Sequence, residues 1–132
     1  MVGSMFVRRL WVLPDVIVVL VFVAIGRSVH DHGVKVVGML STSWPFVVGL
    51  ALGWLAAARW RREGTSLVDG AVLCFMTVTI GMVLRVLAGQ GTAVAFILVA
   101  LCFLGAGMLG WRVLLSRFRR QRSTSRSANP TR

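Results

Sequence analysis

Acidic side chains are scarce in this chain. Four Asp and Glu stand against fifteen Lys and Arg in 132 residues. Charge of either sign is scarce too, at 14% of residues, while 57% are hydrophobic. With a mean hydropathy of +0.82, this excludes an ordinary soluble domain, because so short a chain could not bury that much apolar surface within itself. A bilayer covers the excess. Cysteine occurs only at Cys74 and Cys102, deep in apolar runs. Their spacing excludes a zinc or dithiol motif and implies no cofactor. No Ser–His–acid set, phosphate loop or HExxH is present, which argues against an enzyme. Any chemistry would rest on a short set of polar residues.

The apolar residues fall into four stretches, which predict an all-α, four-span transmembrane helix bundle as a single domain over residues 1–115. The spans are expected at about 10–29, 45–60, 67–87 and 92–111. The first follows Arg8-Arg9, with Pro14 in its opening turn and Gly26-Arg27 at its end. A cleaved signal peptide is the rival reading, weakened by Asp15 at the start of the apolar core and by the three spans that follow. For the second, Ser43 reads as a cap and Pro45 as an early helical residue. The apolar piece at 34–40 is too short to cross and reads as interfacial or re-entrant. The third opens on the capping pattern Ser66-Leu67-Val68-Asp69. Gly89-Gln90-Gly91 is a tight turn, and the fourth span carries no charge. Residues 116–132 read as a basic, disordered tail.

Charge placement gives an orientation. With a cytoplasmic N-terminus, twelve of the fifteen basic residues lie inside, leaving Arg27, Lys35 and Arg85 outside. Both termini are therefore expected in the cytoplasm. Trp11, Trp60 and Trp111 would mark the inner interface and Trp44 the outer one. The expected location is a bacterial cytoplasmic membrane, crossed several times. Each outward span opens with an aspartate, Asp15 or Asp69. Each inward span carries Leu-Gly-Trp, at Leu52-Gly53-Trp54 and Leu109-Gly110-Trp111. This hints at two tandem helix pairs.

Small residues let membrane helices approach closely. Gly49-x-x-x-Gly53-x-x-x-Ala57, Gly70, Cys74, Thr77 and Gly81, and Cys102-x-x-x-Ala106-x-x-x-Gly110 form such stripes on three spans. The cysteines then read as packing residues, and would approach each other if the third and fourth spans are neighbours.

Arg85 continues the third stripe, so it either faces the bundle interior as a functional charge or snorkels to the outer headgroups. Arg27, His30, Asp31 and His32 cluster on the same side. His30, Asp31 and His32 could hold a metal or sense pH, but two histidines and one aspartate in a glycine-flanked loop are not specific, and a solvated loop is the preferred reading. Asp15 and Asp69 invite a transporter reading. Their place in first helical turns, beside the inner arginines, fits capping and ion pairing instead.

Asp15, Gly26-Arg27-x-x-His30, Trp44-Pro45-Phe46 with Gly49 and Gly53-Trp54, Arg85 and Gly110-Trp111-Arg112 together resemble a family of small four-helix membrane proteins. That family occurs in actinobacteria and haloarchaea and is a domain of unknown function. The similarity runs from about residue 13 to 115. It implies a four-span fold and no known activity, and it adds weight to Arg27, His30 and Arg85. The expected function is a non-enzymatic accessory or interaction subunit. It would bind anionic headgroups at its cytoplasmic face and associate with itself or another membrane partner rather than with nucleic acid. The alternative is a homo-oligomeric transporter or channel for ions or small solutes.

Overall fold

The computed structural model describes residues 9–29, 36–60 and 62–127. Among these residues the chain is all-helical, with α1 (Val12–Val29), α2 (Val36–Arg59), α3 (Leu67–Leu87) and α4 (Val94–Ser127). Helices α2, α3 and α4 are each long and apolar enough to cross a membrane. Helix α1 has 18 residues, about 27 Å at 1.5 Å per residue. Its first turn holds Asp15 and its last turn Arg27, charges that complement the two ends of the helix dipole.

Helix α2 departs from the sequence expectation. It begins at Val36, so residues 36–40 are its first turns rather than a separate re-entrant piece, and Pro45 lies inside it. Ser43, expected as a cap, is buried within the helix. A proline supplies no N–H, so the carbonyl four residues earlier loses its helical donor. That carbonyl belongs to Ser41, and Gln90 Nε2 donates to it at 3.0 Å. The turn after α3 thus repairs the gap Pro45 leaves in α2.

Helix α3 starts on its predicted cap, with Ser66 Oγ accepting from the Asp69 N–H at 3.0 Å. Its end turns sharply through Gly89 and Gly91, whose positive φ values of 69° and 46° favour glycine. Helix α4 does not stop near Trp111. It runs to Ser127, 34 residues in all, so residues 116–127 are helical where a disordered tail was expected.

Each helix packs on two others, α1 on α2, α2 on α3, α3 on α4, and α4 back on α1. The α2–α3 contact is the most extensive, and its closeness comes from glycine. A Cβ at Gly49 would meet the Thr77 carbonyl oxygen at 2.8 Å, and one at Gly81 would meet the Phe46 ring at 2.7 Å. The core between the helices is apolar, built on Val19, Phe22, Phe46, Leu50, Leu73 and Leu104. Phe22 meets Phe46 edge-on at 5.8 Å, and Phe96 and Phe103 close on the same cluster.

On α4 the inward face is Ala100, Leu104 and Met108, all fully buried. Cys102 and Ala106 are exposed, and nothing lies within 4 Å of a Cβ at Gly110. The triplet Cys102, Ala106 and Gly110 is therefore not this helix's packing stripe. It starts two residues from Ala100, about 200° around a helix of 3.6 residues per turn. Gly107 does the close packing instead, against Val18. Cys74 is buried and Cys102 exposed, so the two thiols occupy different environments. Leu13, Ile17, Leu55, Phe75 and Leu98 are among the large apolar side chains left on the outside, more than a water-exposed surface carries.

Candidate functional site: a buried aspartate–arginine pair

At one end of the helices, Asp15 and Arg112 form a fully buried ion pair, at 0% and 1% exposure. Arg112 Nη1 donates to Asp15 Oδ1 at 2.9 Å, and Nη2 donates to Oδ2 at 2.8 Å. This is the two-pronged geometry that suits a guanidinium to a carboxylate. Two indoles complete it. Trp111 Nε1 donates to Oδ1 at 2.8 Å, and Trp54 Nε1 donates to Oδ2 at 3.1 Å. The carboxylate thus accepts four hydrogen bonds. Arg112 is equally occupied, with Nε donating to the Gly64 carbonyl at 2.9 Å and Nη1 to that of Met108 at 2.6 Å.

Each element contributes for a local reason. The first turn of α1 presents Asp15, the last turns of α2 present Trp54, and α4 presents Trp111 and Arg112 in succession. Gly64 has φ +76°, and the Trp54 ring occupies the space its Cβ would need. Gly70 leaves room for Arg112, whose Cδ would lie 2.7 Å from a Cβ there. The Arg112 guanidinium also lies 4.3 Å from the Trp111 ring centroid, and Trp111 stacks on Trp11 at 5.7 Å.

Asp69 sits at the same end but makes a separate, more open pair. Arg62 Nη1 donates to Asp69 Oδ1 at 2.8 Å, and the Arg62 side chain is 52% exposed. The other end holds Arg85. It folds over the α3–α4 turn, donating to Gln90 Oε1 and to the Gln90 carbonyl, both at 3.2 Å, and to the Gly91 carbonyl at 3.3 Å. The Phe96 ring lies 4.8 Å from its guanidinium carbon. Its Nε is buried without a hydrogen-bond partner among the described residues. Arg27 donates to Thr42 Oγ1 at 3.0 Å and lies across Gly38. His30, Asp31 and His32 lie outside the described residues.

Arg112, Trp54, Trp111 and Gly64 were missed as site residues in the sequence. Arg112 was counted among the twelve basic residues expected on the cytoplasmic side, and the structure buries it in an ion pair. One signal was available. Asp15 stands at the head of an apolar stretch and needs a counter-charge, and Arg112 adjoins the end of the uncharged fourth span. Chemically, the pair is closed. A carboxylate accepting four bonds from a guanidinium and two indoles has no open site for a proton or cation.

Residues 12–115 match the family model described as "Protein of unknown function (DUF3054)". No curated protein and no solved structure matches the chain.

Proposed function

The chain belongs to the DUF3054 family, whose function is unknown, and we propose that it is a non-enzymatic accessory or interaction subunit of a bacterial cytoplasmic membrane. The observation that carries this reading is the closure of its interior. Between the Asp15–Arg112 pair and the Arg85–Gln90–Ser41 group, Val19, Phe22, Phe46, Leu50 and Leu104 fill the space. A coupling carboxylate in a transporter must exchange its proton or ion, and Asp15 is held by four donors instead. A recess of about 110 Å³ lies between α2 and α3, lined by Gly53, Ala57, Arg62 and Asp69. It is a side groove rather than part of a path between the two ends.

The proposed topology has both termini in the cytoplasm and all four helices crossing. Exposed Arg59, Arg62 and Arg117 meet anionic headgroups there. The tandem arrangement of two helix pairs belongs to the same proposal. Its support is that both Leu-Gly-Trp segments deliver their indole N–H to one carboxylate.

Flux measurements on the purified protein in liposomes test the functional reading. Proton, sodium, potassium and chloride permeabilities should equal those of protein-free vesicles. A flux that disappears in Asp15→Asn or Arg85→Gln protein that still folds would establish the transporter alternative and overturn ours.

A further inference from the structure

Helix α4 packs on its neighbours through Ala100, Leu104, Met108 and Arg112, which recur at four-residue steps along one stripe. Continued at helical spacing, the stripe passes through Leu115 to Arg119 and Arg122. A contact agrees with this register, since the Arg119 guanidinium stands 5.9 Å from the ring centroid of Trp11, the residue just before α1. Among the described residues, nothing beyond Trp11 packs on this face, and the face changes from apolar to basic. Arg119 and Arg122 are exposed, and α4 carries no acidic residue to offset them. They sit three residues apart, as do Arg117 and Arg120, and like charges at that spacing repel on a helix.

Distance separates two candidate anions. At 1.5 Å per residue, Arg122 stands about 16 Å beyond Trp111. The headgroup layer adds only about 5–7 Å on each side of the hydrocarbon, and the screening length in physiological salt is about 8 Å. Lipid charge therefore reaches Arg122 poorly. Arg112, on the same stripe, already grips a carboxylate.

We propose that the stripe of Arg119 and Arg122 is a docking surface for an acidic polypeptide segment, whose carboxylates pair with these arginines over the Asp15 end of the molecule. The proposal deepens the accessory reading and rests on it by giving the partner its chemistry. The flux assay tests that reading separately.

The full-length protein in phosphatidylcholine nanodiscs, titrated with a fluorescent twelve-residue oligoglutamate, provides the test. Saturable binding is expected, weakening as salt rises. The Arg119→Gln/Arg122→Gln variant should bind roughly three- to tenfold more weakly, the effect of losing two exposed ion pairs. Arg117→Gln/Arg120→Gln removes the same charge from another face and should bind nearly as wild type. All four side chains are exposed, so thermal midpoints should not move. Absent binding, or equal weakening in the two variants, would overturn the proposal. So would binding that vanishes once the discs contain phosphatidylglycerol, because lipid would then occupy the stripe.

Discussion

Taking a carboxylate and a guanidinium out of water costs several kcal/mol for each ion, and only good geometry with further hydrogen bonds offsets it. Asp15 and Arg112 meet that condition through Trp54, Trp111 and the carbonyls of Gly64 and Met108. Removing one partner strands the other as an uncompensated buried charge. Asp15→Ala and Arg112→Ala should each destabilise the protein by about 3–5 kcal/mol. Asp15→Leu/Arg112→Met removes both charges and should cost clearly less than the sum of the two. A double-mutant cycle read from unfolding in mixed micelles checks this. Additive losses would mean the two side chains do not act as a pair. Asp15 was legible in the sequence as a helix-start charge near arginines, but its partner was not. The residues are 97 apart, and helical periodicity reports faces, not which distant residue a face meets.

At the scale of elements, the informative case is the repaired break in α2. Proline normally marks a helix start, and with Ser43 ahead of it the local signal placed a boundary there. The tertiary structure overrides that signal because a side chain from the α3–α4 turn supplies the missing donor. Gln90→Ala should therefore remove the donor to the Ser41 carbonyl, an exposed hydrogen bond, and cost about 0.5–1.5 kcal/mol. In a Pro45→Ala background residue 45 regains its N–H, Ser41 regains a helical partner, and the cost of Gln90→Ala should shrink. An unchanged cost would show that Gln90 acts mainly through Arg85, to which it is also bonded. The same contrast explains the small-residue stripes. On α2 and α3 the glycines mark the true interface, because only glycine admits the Gly49–Thr77 backbone approach. On α4 the spacing Cys102, Ala106, Gly110 is equally regular but lies on the exposed side. Small-residue spacing alone does not distinguish a helix's two faces. The fully buried Ala100, Leu104 and Met108 do.

Across the whole molecule, the two ends differ in what their charges do. At the far end, Arg27 reaches Thr42 and Arg85 reaches Gln90, both within the fold. At the Asp15 end, Arg112 is internal, while Arg59, Arg62, Arg117, Arg119, Arg120 and Arg122 are exposed. Moving Arg112 into the core takes one residue from the basic excess at that end and leaves its sign unchanged. Short, Arg-rich segments beside apolar helices are retained on the cytoplasmic side, so the Asp15 end should face inward. Single cysteines in a Cys74→Ala/Cys102→Ala background test the assignment, placed at exposed positions by Ala93→Cys and Ser123→Cys. A membrane-impermeant maleimide added to intact cells should label position 93 and spare position 123 until the membrane is broken. Position 93 immediately precedes α4 and position 123 lies near the helix's other end, so the two probes report on the two ends of one helix. Labelling in the reverse order would invert the molecule, carry the Arg119–Arg122 stripe outside the cell and remove the cytoplasmic partner proposed for it. Labelling of both in intact cells would mean that α4 does not cross the membrane, despite an apolar stretch long enough to do so.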